Sequence, residues 1–189
     1  MNQNGEPVYL SLEFTPNPNT LKYAVNRVLL NKGAVSFTSL ASAKEASPLA
    51  ERLLGTNGIE GVMIGRDFVT VTKSESGDWE AVHKTASEVI ESHLNANETV
   101  LFEEKDAAQT EGANEVEQKI IDLLEKEIRP AVAMDGGDIT FDRFDEGIVY
   151  LFLQGSCAGC PSATMTLQQG IEVRLKELIP EVKQVVSTN

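Results

Sequence analysis

The sequence predicts an α+β protein: two small domains, each a mixed sheet with helices, joined by a flexible linker. Three observations carry this. Segments such as VYLSLEF (8–14), GIEGVMIGRDFVTVTK (58–73) and IVYLFLQ (148–154) have the alternation or β-branched content of strands. They are interspersed with segments of helical periodicity, and each half of the chain has both kinds. Between the halves lies EEKDAAQTEGA, with charge and small residues but few apolar anchors. The chain therefore divides into a domain over 1–102, a linker over 103–113 and a domain over 114–189. A length of 189 residues suits two domains of this size.

In the first half, residues 8–14 form a strand and TPNPN turns the chain. Pro18 suits the first turn of a helix reaching about Leu30, with Asn17 as its cap and Leu21, Ala24, Val25 and Val28 as its apolar stripe. Gly33 ends it. AVSFTSL is a short strand. Ser47-Pro48 is a cap and first-turn proline, opening a helix to about Leu54. Two strands follow, joined by a hairpin near Gly65-Arg66-Asp67. A helix over about 79–94 closes the domain, with Trp79 anchoring it to the sheet.

The second half opens with a helix over about 114–128. Val116, Ile120, Leu123 and Leu124 form its stripe, with Glu127 a polar neighbour. Arg129-Pro130 marks a break or bend. MDGGDI is a tight turn into ITFDRF, and Glu146-Gly147 turns back into IVYLFLQ, a second hairpin. A helix over 161–178 has Met165, Leu167, Ile171, Leu175 and Leu178 on or near one face. EVKQVVS ends the fold as a short strand.

The net charge of −13 argues against phosphate backbones or anionic membranes as partners. Apolar runs are too short to span a bilayer. The N-terminus, MNQNGEPVYL, has neither a signal-peptide pattern nor an Arg-rich presequence, so a cytoplasmic location is expected; a mature organellar protein whose presequence has been removed would look similar. His83 and His93 read as partly exposed helix residues. Asp135, Asp138, Asp142 and Asp145 lack EF-hand spacing, and side-chain hydrogen bonds within a turn account for them better than a divalent cation does. No P-loop or dinucleotide fingerprint is present. Tyr150 and Phe152 are explained by strand packing. Asn17, Asn19 and Thr20 read as turn and cap residues.

The chemistry lies in GSCAGCPSAT, 155–164, which holds both cysteines of the chain, Cys157 and Cys160. The loop leaves a strand and enters a helix, where rigid elements hold both its ends. Small neighbours at Gly155, Ser156, Ala158 and Gly159 leave the sulfurs accessible. Pro161 suits the first helical turn, so Cys160 falls near the cap, where the helix dipole favours a thiolate. Two exposed thiols of low pKa are expected. Three readings fit them: a redox dithiol, a structural zinc ligand pair, and a metal or cluster shared between two copies of the loop. Zinc and iron–sulfur clusters ask for about four ligands, and a symmetric dimer doubles two into four.

From Arg129 onward the chain resembles the C-terminal domain of NifU-like, or Nfu-type, iron–sulfur cluster scaffold proteins. The matching residues are Arg129-Pro130, Asp135-Gly136-Gly137-Asp138, Gly155 to Ser162, Thr166-Leu167, Gly170-Ile171-Glu172 and Ile179 to Val182. The first half resembles the domain that precedes it in many Nfu proteins, through TPNPNTLKY (15–23), Ser47-Pro48-Leu49-Ala50 and GRDFVTVTK (65–73). The resemblance implies a carrier rather than an enzyme. It implies a [4Fe-4S] cluster bound between two subunits through Cys157 and Cys160, and a homodimer in the cluster-bound state. Upstream assembly machinery and apo iron–sulfur clients are the implied partners.

Overall fold

In the computed structural model of the chain, the described residues are 7–102, 114–158 and 161–188, without the side chains of 161–164. The expected linker, Gly159 and Cys160 lie outside them.

Two mixed α/β domains are present. The first has a five-stranded antiparallel sheet in the order β1-β2-β5-β4-β3, made of β1 (Leu10–Phe14), β2 (Thr20–Val25), β3 (Val35–Phe37), β4 (Ile59–Ile64) and β5 (Phe68–Lys73). Three helices, α1 (Leu40–Ala46), α2 (Pro48–Leu54) and α3 (Trp79–Asn95), cover one face. Leu21, Tyr23 and Val25 of β2, Val62 and Ile64 of β4, and Val69 and Val71 of β5 point to that face. They pack in one core with Leu49, Leu53, Val82, Ala86, Ile90 and Leu94.

The expected helix from Pro18 to Leu30 is instead β2 and its flanking turns. Leu21, Tyr23 and Val25 have the period of two, and that alternation prevails because strands on both sides pair with it. Asn17 still organises the turn, its Oδ1 accepting from the Asn19 N–H at 2.9 Å. Two short helices stand where one was expected. Ser39 caps α1, and the Ser47 hydroxyl accepts from the Ala50 N–H to start α2 at Pro48. The hairpin at 65–67 is present, and Trp79 packs on the core while its Nε1 donates to the Pro18 carbonyl at 3.0 Å.

The second domain has a three-stranded sheet in the order β6-β7-β8: β6 (Gly137–Asp145) and β7 (Ile148–Gly155) antiparallel, β8 (Gln184–Ser187) parallel to β7. Helices α4 (Glu115–Leu123), α5 (Arg129–Met134) and α6 (Pro161–Leu178) complete it. Ile120, Leu123, Leu124, Val132, Ile139, Val149, Leu151, Leu153, Ile171 and Leu175 form its core. Asn114 caps α4 in a reciprocal capping box with Glu117.

At Arg129-Pro130, where a break or bend is expected, the helix does not end. A π turn at Leu124–Ile128 joins α4 to α5, and the Arg129 N–H bonds to the Leu124 carbonyl five residues back. The wider turn carries the helix past a residue with no N–H of its own. On α6, Ile171 and Leu175 are buried and Leu167 packs against them, but Met165 and Leu178 are exposed.

Candidate functional site

The cysteine loop begins where β7 ends. Gly155 has φ +64°, a conformation that suits glycine, and it pairs with Gly137 at the start of β6. Ser156 then fixes the loop to the preceding turn: its N–H donates to the Gly136 carbonyl at 3.1 Å and its hydroxyl to the Asp135 carbonyl. Gly136, with φ +75°, makes that turn possible. The Ala158 N–H closes back on the Gly155 carbonyl at 3.1 Å.

This arrangement seats the Cys157 sulfur against Gly137. A Cβ built on Gly137 would stand 2.3 Å from Sγ, so residue 137 has no room for a side chain. The second glycine of Asp-Gly-Gly-Asp is therefore a seat for the sulfur as well as part of a turn.

Cys157 is only 7% exposed, against the expectation of an open, readily ionised thiol. Burial pushes its pKa up, and the carboxylates of Asp135 and Asp138 add to the rise; the Ser156 hydroxyl, 3.9 Å from Sγ, acts the other way. Cys160, the second expected ligand, lies outside the described residues, as does Gly159.

Asp138 is not a turn-forming acceptor. It is buried and takes a two-pronged contact from Arg129, Nε to Oδ1 at 2.9 Å and Nη2 to Oδ2 at 2.8 Å. The fork ties the start of α5 to the start of β6, directly below the sulfur's seat. Asp142 pairs with Arg143 at the surface. Among the described residues, no group of three or more His, Cys, Asp or Glu side chains is placed to hold a metal ion. His83 is half-buried and stacks on Tyr23, whereas His93, expected to be partly exposed, is fully buried with Nε2 on the Thr99 carbonyl.

A cleft of about 640 Å³ opens beside Cys157, walled by Val132, Asp135, Leu167 and Gly170 of the second domain and by Pro16 of the first. Among the described residues, and apart from the backbone of α6 itself, nothing lies within 4 Å of where a Cβ on Gly170 would be. Sequence reasoning missed three contributors: Gly137 as the seat, Asp138 as the partner of Arg129, and the first domain's loop at Pro16-Asn17. Gly137 and Pro16-Asn17 act through contacts distant in sequence, and Asp138 through one nine residues away, beyond the reach of helix or strand periodicity.

The profile of the NifU-like domain matches residues 120–186, and that of the scaffold protein Nfu/NifU N-terminal domain matches 10–97. The chain is 36% identical over 180 residues to the NFU1 iron-sulfur cluster scaffold homolog, mitochondrial, of Drosophila grimshawi, covering 94% of this chain and 60% of that protein. For its counterpart in Drosophila willistoni the identity is 36% over 182 residues, with 94% and 63% covered. The chain thus spans about three-fifths of the length of these relatives. A solution structure of a NifU-like protein from Saccharomyces cerevisiae shares 22% identity over 55% of this chain and 92% of that one, at a TM-score of 0.47. The cytoplasmic expectation is overturned: these relatives are mitochondrial by name. It rested on a pattern missing from the first ten residues, and such an absence does not report a compartment. With both halves matched in order, the chain belongs to the NifU/Nfu family of iron–sulfur cluster scaffold proteins.

Proposed function

We propose that the protein carries an iron–sulfur cluster as cargo, a [4Fe-4S] core held between two copies of the chain by Cys157 and Cys160 of each, and passes it to apo-proteins. It is a carrier in this reading and not an enzyme. The organisation that goes with it is a first domain over 1–102, a linker over 103–113 and a cluster domain over 114–189. Upstream assembly machinery loads the site and iron–sulfur clients receive from it.

The observation that carries the proposal is the seating of Cys157 at a strand-to-helix loop, in the half of the chain that the NifU-like profile matches, with one further cysteine three residues on. One chain supplies two thiols and a cluster takes about four, so a second copy completes the set. The protein's own part is to present thiolates and to leave them reachable. Iron supplies the drive to deprotonate the thiol, since metal binding and proton release are coupled. An incoming client thiolate then replaces one cysteine at a time.

The test is substitution. Cys157→Ala and Cys160→Ala should each abolish the visible absorption of the reconstituted protein while leaving the far-UV circular dichroism unchanged. A variant that kept the full visible spectrum would remove that cysteine from the ligand set.

A further inference from the structure

The face of the first sheet that turns away from α1–α3 is buried at its centre. Lys22, Thr70 and Met63 form a row across β2, β5 and β4, as register partners, on that face. Lys22 is 9% exposed, and Thr70 and Met63 are each 1% exposed. Met63 belongs to neither domain's apolar core. The second domain covers the row, and it does so with the two turns that seat Cys157.

Each contact is specific. Lys22 Nζ donates to the Met134 carbonyl at 3.1 Å, at the start of the first turn. A Cβ on Gly136 would meet the Thr70 methyl at 3.0 Å, and one on Gly155 would meet the Met63 side chain at 2.6 Å. Asn17 Nδ2 donates to the Ala158 carbonyl at 3.2 Å, on the residue that follows Cys157. Pro16 forms one wall of the cleft beside the sulfur.

We infer that the first domain is an intramolecular cover for the cysteine loop, latched by Asn17 and Lys22, and that it lifts when Cys157 meets ligands from a second copy. The consequence for cluster loading rests on the carrier reading above; the cover itself does not. Its chemistry suits a reversible contact. The latches are two side-chain hydrogen bonds to turn carbonyls, and lysine and threonine on the sheet face accept water when uncovered. Among the described residues the buried Thr70 hydroxyl has no hydrogen-bond partner in the docked state, and it would regain water on lifting, which weakens docking. Interdomain contacts of this polar kind permit relative motion.

The test uses the full chain and reads alkylation of Cys157 by iodoacetamide under native conditions, resolved from Cys160 by fragment mass spectrometry. Asn17→Asp keeps the Oδ1 acceptor for the Asn19 N–H but loses the donor to Ala158. Lys22→Met removes the ammonium group and keeps the stem. Together they should raise the rate about fivefold or more, as weakening a local closure does. Thr70→Val, which removes the orphaned hydroxyl at constant shape, should lower the rate, a direction that partial unfolding cannot mimic. Rates equal to the wild type in both variants, with unchanged melting, would overturn the cover. Anaerobic uptake of iron and sulfide should follow the same order. If alkylation follows the order and no variant takes up a cluster, the cover stands and the carrier reading falls.

Discussion

The two domains are similar in kind and differ in what holds them. The first has a broad sheet, and its core is formed by apolar side chains from three helices and four strands. Ser47 and His93, both buried, serve its own backbone, through the Ser47 hydroxyl on the Val100 carbonyl and His93 Nε2 on the Thr99 carbonyl. The second has a narrower sheet, and next to its core lie a buried ion pair, a thiol and two turns built on glycine. Apolar packing is forgiving of volume-conserving change. A buried charge pair and a sulfur pressed on a glycine are not. The difference teaches where the chemistry is: around Cys157 the second domain has accepted costs in stability, a buried carboxylate that needs its cation and a sulfur seated on a glycine.

The largest expected effect attacks this difference directly. Arg129→Ala leaves the Asp138 carboxylate buried without its cation, at a cost of about 3–5 kcal/mol. The loss should be confined to the second domain. The single tryptophan, Trp79, lies in the first. In urea, the circular dichroism of the variant should therefore show a transition well ahead of the one Trp79 fluorescence reports. Coincident transitions would mean that the domains unfold as one and that the comparison is wrong.

Gly137→Ala comes next. The new methyl collides with Cys157 Sγ and also stands 3.2 Å from the Gln154 carbonyl, so the strand or the loop must shift. Overpacking of this kind costs about 1–3 kcal/mol. Cluster yield on reconstitution should fall sharply although no ligand is lost. Gly170→Ala, where a methyl enters open space, is the control and should load normally.

The smallest effect belongs to the first domain. His93 is buried, and burial holds its pKa below the usual value of 6.5, outweighing the opposing pull of the Thr99 carbonyl and Glu98. The folded state thus favours the neutral ring. Its contribution to stability is present above pH 6.5 and is lost as pH falls through the lower, folded pKa. Between about pH 7 and 5, the Trp79 transition should move to lower urea. His93→Gln should flatten that dependence even if it lowers stability overall. A wild-type transition that holds steady across this range would break the assignment.

Most of the fold was legible in the sequence, because most elements announce themselves locally. The hairpin at 65–67, the proline-started helix at Ser47-Pro48 and the closing helix-strand pair all rest on residues near one another. The failures have a shared cause. The stretch 18–30 supports both a helical stripe through Leu21, Ala24, Val25 and Val28 and an alternation through Leu21, Tyr23 and Val25. Only pairing with β1 and β5, fixed by distant residues, decides between them. Helix α1, LASAKEA, is short and has a single buried residue, Ala43, so no apolar stripe marks it. The site divides in the same way. The CxxC pair and the flanking glycines were readable from spacing. The burial of Cys157 was not, because it depends on Gly137, which another hairpin strand brings against the sulfur.

The central claim is that two chains hold one cluster through Cys157 and Cys160. Anaerobic reconstitution with iron and sulfide, read by Mössbauer spectroscopy and native mass spectrometry on the same sample, tests it most directly. The account predicts a [4Fe-4S] signature in a particle of two chains, lost with either cysteine. A colourless, iron-free protein whose Cys157 and Cys160 instead form a reversible disulfide at a defined potential would contradict it.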